Sequence, residues 1–205
     1  LENTKTEIVS SGLYFQDQIR LNDQWLVLLG ARYDYNVHKL DQASLNVPFF
    51  LGGVIASNPH INAKQSDGKF VPKAGLVYQP MDTISLYASY ARQYDLALVA
   101  ADVRPIESNA QEYGGKWEII DGLAASVAYF NIRKTNIVDP SNLLQPDVVD
   151  EVESKGYEFS VLGRMSPHWV ISTNYSEYDA EITVDADNIA NEGNRARGTP
   201  TRSGS

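Results

Sequence analysis

The chain contains no cysteine among its 205 residues, which removes disulfides and thiolate metal sites together. No stretch approaches 18 consecutive apolar residues, so a transmembrane helix is excluded. Cationic residues are in deficit, 17 Lys and Arg against 26 Asp and Glu, for a net charge of −9. No Lys/Arg-rich cluster relieves that balance, which argues against a surface tracking nucleic-acid phosphates. Histidine occurs only at His38, His60 and His168, without ligand spacing, so surface or loop-tip positions are expected. G-x-S-x-G, H-E-x-x-H, P-loop and dinucleotide fingerprints are absent. No catalytic residue, metal site or cofactor is expected. The opening segment, LENTKTEIVSSG, does not look like a signal peptide.

What is present is a folding composition, 43% apolar and 21% charged, laid out with a period of two and little helical competition. WLVLLGARYDYNVH, residues 25–38, shows the pattern. Its odd positions, Trp25, Val27, Leu29, Ala31, Tyr33, Tyr35 and Val37, are apolar or aromatic. Its even positions begin with Leu26, Leu28 and Gly30, then turn to Arg32, Asp34, Asn36 and His38. A soluble strand is usually about five or six residues long, and this one is far longer. Similar alternation predicts eight strands, roughly 8–20, 25–38, 69–79, 83–94, 111–120, 123–136, 153–165 and 168–182. The outward lists include Leu13, Phe15 and Ile19; Ala74, Leu76 and Tyr78; Leu86, Ala88 and Tyr90; Tyr157, Phe159 and Val161; and Trp169, Ile171 and Tyr175. Strand six is ambiguous, because both of its faces are apolar from Val127 to Ile132.

The connections carry more information than the strands. Tight turns are expected at LNDQ (21–24), QPMD (79–82), IDG (120–122) and MSPH (165–168), all built from turn-forming residues. Long polar segments lie between them, at about 39–68, 95–110 and 137–152. Short and long connections therefore alternate strictly, as they do in outer-membrane barrels with short periplasmic turns and long extracellular loops. A barrel strand has one face against lipid and its backbone satisfied by its neighbours. Trp25, Trp169 and Met81 stand at or beside tight turns, where a periplasmic interfacial belt belongs. Tyr33, Tyr35, Tyr90 and Tyr94 approach the opposite ends and would form the outer girdle. The competing reading is a large soluble β-sandwich or β-solenoid with buried aromatics.

Four segments add a resemblance. SGLYFQDQIRLNDQWLVLLGARYDY closely resembles the barrel region of TonB-dependent siderophore receptors, through Gly12, Tyr14, Gln16, Asp17, Gly30, Arg32, Tyr33 and Asp34. FVPKAGLVYQPMDTISLYASYAR resembles the next hairpin of that family, with Pro72, Lys73, Gly75, Tyr78, Pro80, Leu86, Tyr87, Ser89 and Tyr90 in pattern. An E-x-G-x-K hairpin follows in QEYGGKWEIIDGLAASVAYFNIRKTNI, through Glu112, Tyr113, Gly115, Lys116, Phe130 and Asn136. A G-x-E hairpin is matched by Gly156, Glu158, Gly163, Trp169, Tyr175 and Asp179. The likeness runs in order over roughly residues 8–200.

It implies an antiparallel transmembrane β-barrel segment of about eight strands, part of a 22-stranded barrel filled by an N-terminal plug. Such receptors sit in the outer membrane of Gram-negative bacteria. They import ferric siderophores with energy delivered by the TonB complex. The expectation is that residues 1–205 are one partial barrel domain, with the plug, TonB box and C-terminal strands outside it. The end, through Gly198, Thr199 and Pro200, would reach only the region before the next strand. Whether the eight strands close alone stays open. Partners would be a ferric siderophore, outer-membrane lipid and, through the plug, TonB, with no nucleic acid and no enzymatic activity. Arg32, Asp34, Glu112, Lys116, Glu158 and Arg164 should face the lumen as structural polarity. Phe49 and Phe50, with Tyr94 and Arg104 near the rim, are the ligand candidates, since aromatics beside a cation suit an anionic aromatic chelate. Phe49 and Phe50 packing their own loop against the barrel mouth is the plainer alternative. Asp185, Asp187 and Asn188 lack the rest of a calcium loop and read as a solvated acidic loop. DVVDEVES (147–154) reads as an exposed acidic loop edge. A non-transporting barrel or sandwich acting as an adhesin or glycan-binding module is the second functional class.

Overall fold

Alternating side chains commit each segment to an extended ribbon with two unlike faces, and the tight turns fold neighbouring ribbons against each other. The computed structural model describes residues 2–44, 61–95, 105–139 and 147–205. Among these residues, β1 (Glu2–Arg20), β2 (Trp25–Ser44), β3 (Ile61–Met81), β4 (Ile84–Asp95), β5 (Ile106–Ile120), β6 (Leu123–Asp139), β7 (Asp147–Ser166) and β8 (Trp169–Val184) are followed by a 3-10 turn (Ile189–Asn191) and a short β9 (Arg202–Gly204). All nine strands form one antiparallel sheet in sequence order, β1 to β9. Among the described residues there is no second sheet for them to pack on. The sandwich reading is therefore overturned: two stacked layers would require the meander to break and fold back, and its ladders run on without a break in strand order.

The sequence-based strands are corrected mainly at one end. Every tight turn falls where the sequence puts it, but strands β1, β2, β3, β5 and β7 run farther toward the long connections than period two suggested. There both faces are polar, so alternation fades while backbone pairing continues. DVVDEVES is not a loop edge; it opens β7. The ninth strand was not expected, and its partner is the Tyr175–Glu177 stretch of β8.

Register aligns the faces into rows that cross the sheet. One row reads Trp25, Tyr78, Leu86, Gly115, Val127, Phe159, Tyr175. The next reads Ile19, Val27, Leu76, Ala88, Tyr113, Tyr129, Tyr157, Glu177. These rows begin beside the first tight turn and end well inside β8. That steady drift is the stagger demanded of strands tilted in a barrel wall. On this apolar face Trp25 stacks on Tyr78 at 4.4 Å, and Tyr129 lies 5.1 Å from Tyr157. Strand six is resolved by the same rows: Val127 and Tyr129 join the apolar face, while Ala128, Phe130 and Ile132 lie on the other. Buried apolar residues are almost lacking. Among the described residues only Leu123, at 7% exposure, and Ala180, at 2%, form anything like a core. A sheet of this size with large apolar residues uncovered on one face needs something apolar against it.

The turns show why local sequence fixes them. The Asn22 side-chain carbonyl accepts the backbone N–H groups of Gln24 and Trp25, both at 2.9 Å, closing the first hairpin as an Asx turn. At the third, Gly122 has φ 80° and its carbonyl accepts the Arg164 N–H at 2.8 Å. Gly163, across from it, has φ 145°, and a Cβ there would sit 2.1 Å from the Gly122 carbonyl oxygen. Gly163→Ala is expected to destabilise the barrel wall by about 1–3 kcal/mol, read as a lower thermal midpoint of the full-length receptor. Gly122→Asn, with nothing within 4 Å and a residue that tolerates left-handed backbone, is expected to leave the midpoint nearly unchanged.

Candidate functional site

The face opposite the tyrosines carries the polar chemistry. One of its rows reads Gly75, Ser89, Glu112, Phe130, Gly156, Tyr178, and its neighbour reads Val77, Tyr87, Gly114, Ala128, Glu158, Ser176. A third joins Ser85, Lys116, Ser126 and Ser160. The residues singled out as lumen-facing, Arg32, Asp34, Glu112, Lys116, Glu158 and Arg164, fall on this one face by register. Arg32 Nε donates to Asp34 at 2.7 Å. Ser126 and Ser160 hydroxyls are 2.7 Å apart. Leu26, Leu28 and Val77 share the face near the short-turn rim, so it is polar chiefly above them.

Two glycines shape this wall. Gly30 lets the Lys73 side chain lie flat across β2, where a Cβ would meet Lys73 Cε at 2.5 Å, and Lys73 Nζ thereby donates to Gln16 of β1 at 2.5 Å. Gly114 seats the Tyr87 ring, whose atoms a Cβ would meet at 2.5 Å, and the Tyr87 hydroxyl donates to Glu112 at 2.5 Å. Sequence reading took the other glycine of the pair, Gly115, as the motif position. The signal for Gly114 was available: it stands two residues from Glu112, hence on the same face, opposite an aromatic in a polar list.

Above Lys73 and Ala91 the β3–β4 ladder lapses, although β3 continues to Ile61. Side chains bridge the gap. Glu107 of β5 accepts from Lys69 of β3 at 2.5 Å and from Arg92 of β4. The lysine hydrogen bond, foremost, and the guanidinium hold the Glu107 carboxyl below its ordinary pKa despite partial burial. Asn36 donates its amide to the Tyr94 hydroxyl. Gln65 donates to Asp67 at 3.0 Å. On β6 and β7, Glu153 accepts from Asn131 at 3.0 Å and Arg133 at 3.1 Å, with Lys155 at 3.6 Å. Those contacts, the Asn131 bond first, likewise lower its pKa. Glu107 and Glu153 lie toward the long-connection ends of their strands, farther from the tight turns than the 9 to 11 residues a transmembrane strand needs.

Counting by twos from Tyr90 puts Tyr94 on the apolar face, and its pairing with Glu107 keeps it in register with β5, but where the β3–β4 ladder has lapsed its phenol reaches Asn36 of β2. Phe49, Phe50 and Arg104, with which it was grouped, lie outside the described residues. His38 is not at a surface or loop tip. It is 4% exposed on β2, and its Nε2 has no hydrogen-bond partner among the described residues. His168 is exposed in the tight turn after β7, as expected, and His60 lies outside the described residues. Asp185 is not solvated either. It is 1% exposed and accepts from the Asn188 N–H at 2.9 Å and the Asn191 amide at 2.8 Å. A spacing argument detects cation ligands and is blind to a carboxylate that organises its own loop. No cluster of three His, Asp or Glu residues suited to a metal occurs among the described residues.

A single meander with one continuous apolar face, one polar face and a drifting register defines a β-barrel wall. The TonB-dependent receptor-like β-barrel family model matches residues 2–205, and the chain belongs to this family. A metal-pseudopaline receptor, CntO, of Pseudomonas aeruginosa is 30% identical over 97% of this chain and 28% of its own length. The probable TonB-dependent siderophore receptor PiuA of Acinetobacter baumannii is 27% identical over 86% of this chain and 24% of its own. The chain thus spans under a third of these relatives. Among solved structures, siderophore receptor PiuA from A. baumannii superposes with a TM-score of 0.83 at 22% identity, covering 98% of this chain and 31% of that one. The E. coli ferric-catecholate import receptor Fiu gives 0.78 at 20% identity over 97% and 31%. These likenesses fix the fold of the barrel wall. Proteins of the family are transport receptors of the outer membrane.

The lowered Glu107 pKa sets a pH dependence. A carboxylate stabilised in its charged form contributes fully above its ordinary pKa, and the contribution is lost as the pH falls through the lowered folded value. Protection of the β3 amides around Lys69 from exchange, taken relative to the intrinsic rate at each pH, is therefore expected to fall below about pH 4, and Glu107→Gln is expected to show the lower protection already at pH 7. Unchanged exchange in that variant would show that the bridge does not hold the seam.

Proposed function

We propose that the chain is part of the barrel of an outer-membrane, TonB-dependent receptor that imports ferric siderophores, a transporter and not an enzyme. The observation that carries this reading is the continuity of the two faces across all eight long strands. The tyrosine-bearing face lies against lipid. The face holding Arg32, Asp34, Tyr87, Glu112, Lys116 and Glu158 lines the lumen, where a plug supplied by another part of the receptor makes its polar contacts. The substrate is captured outside, on the long loops, and plug movement coupled to TonB releases it inward. Family membership and the names of the relatives support the cargo class: one is named a metal-pseudopaline receptor and another a probable TonB-dependent siderophore receptor. Phe49, Phe50, Tyr94 and Arg104 remain the proposed ligand contacts, aromatic faces and a cation for an anionic chelate.

Uptake of radiolabelled ferric siderophore by iron-starved cells carrying the full-length gene tests both halves. Deleting the gene is expected to abolish uptake of its cognate chelate. Phe49→Ala combined with Arg104→Ala is expected to weaken binding about tenfold or more, roughly 1.4 kcal/mol, while receptor abundance in the outer membrane stays normal. Glu112→Gln with Glu158→Gln is expected to spare ligand binding and slow transport. A receptor whose loss leaves every chelate's uptake intact would defeat the proposal.

A further inference from the structure

The lapse of the β3–β4 ladder has a cause in the sequence. The Gln79 N–H bonds the Gln24 carbonyl on β2 at 2.8 Å, so odd-numbered residues of β3 turn their main chain toward β2. Even-numbered residues turn theirs toward β4. Pro72 is even-numbered and has no N–H to give, and the ladder ends at the pair beside it, Lys73 with Ala91. From Arg92 onward β4 keeps its ladder to β5, through Tyr94 with Glu107 and Asp95 with Ile106.

The freed strand ends fold inward. By register Arg92, Tyr94 and Glu107 belong to the apolar face, whereas Asp34, Asn36, Asp67 and Lys69 belong to the polar one. Yet Lys69 donates to Glu107 at 2.5 Å, and Asn36 donates to Tyr94. The second bond crosses β3 entirely, so the Tyr94 ring passes on the inward side, where Asn36 stands. Burial first, then the charges of Asp34 and Asp67 with Arg32 opposing them, act on its phenol. Exposure along β2 keeps the same count: Asn36 and His38 are buried, while Tyr33, Tyr35 and Lys39 beside them are exposed.

We infer that the rim end of β4–β5, residues 92–95 with 106–109, is an inward-folded flap that must swing off the wall of β2–β3 for cargo to pass, an inference that rests on the proposed transport reading. It stands at the long-connection end, where cargo enters, and over the face proposed to line the lumen. Among the described residues no backbone ladder holds it to β3. One carboxylate shared by Lys69 and Arg92, and one amide–phenol bond, hold it instead. The closed position also leaves something unsatisfied. His38 Nε2 is buried with no hydrogen-bond partner among the described residues, and a buried polar atom left unpaired disfavours the state that buries it. Few bonds favouring closure and an orphaned nitrogen opposing it bring the two positions nearer in energy, as a gate requires.

Cross-linking in iron-starved cells tests this, with Lys69→Cys and Glu107→Cys introduced together into a full-length receptor free of other cysteines. The probe is radiolabelled iron(III) mixed with the chelators that such cells secrete. A reducible bis-methanethiosulfonate joining the two thiols is expected to cut uptake roughly tenfold or more, and reduction to restore it. The same reagent joining Asn131→Cys to Lys155→Cys, which pair in the β6–β7 ladder, is expected to leave uptake unchanged. In purified receptor, Glu107→Gln is expected to make modification of His38 by diethyl pyrocarbonate several-fold faster than in the wild type, read by peptide mass spectrometry. Uptake that survives the Lys69–Glu107 link, an equal loss in the Asn131–Lys155 control, or equal His38 modification in both proteins would each overturn the flap. A wild type that takes up no iron sinks the transport reading instead, and the His38 rates still decide whether the flap opens.

Discussion

Lateral hydrogen bonding between neighbouring strands is the constraint on which everything else in this molecule depends. A single-layer sheet has no interior to reward folding, and only two apolar residues are truly buried among those described. Each ribbon must therefore satisfy its backbone through its neighbours, and the exact pairing decides which side chains stand together. Once Trp25 faces Tyr78, and Tyr78 faces Leu86, the apolar row is carried to Tyr175 without further choice. A slip of one residue at any ladder would exchange the two faces from that strand onward.

The same register explains how a wall of unremarkable residues acquires different levels. Because rows drift from the tight turns toward the long loops, one row can begin among leucines and end at Glu177. Composition changes along the strands in a consistent order: tryptophan near the turns, aliphatic residues, tyrosines, then amides and charges. On the opposite face the gradient takes another form, with Leu26, Leu28 and Val77 below and the Tyr87–Glu112 bond and the Lys73–Gln16 contact above. Glycines at Gly30 and Gly114 let long side chains cross a strand instead of standing off it, which turns separate ribbons into a connected polar surface.

Where the ladder fails, side chains take over. Between β3 and β4 the backbone pairing ends at Lys73 and Ala91, and Lys69, Glu107, Arg92, Asn36 and Tyr94 span what lies above. After β8 the chain returns along the free edge with its own irregularity. Arg195 donates to Asp179 and to the carbonyls of Tyr178, Thr199 and Pro200, tying down the excursion before β9. Asp185 plays the corresponding part at the start of that excursion. In each place a charged or polar group substitutes for missing main-chain bonds.

The tight turns, the outward lists and the shared face of Arg32, Asp34, Glu112, Lys116 and Glu158 were determined by the sequence itself. Each follows from period two or from turn chemistry, which are properties of a few consecutive residues. The length of β3, the ninth strand, the move of Tyr94 to Asn36, the burial of His38 and Asp185, and the role of Gly114 were decided only in the tertiary structure. All of these turn on which residue of another strand lies opposite, and hydrogen-bond register between distant segments leaves no trace in the local alternation of either one.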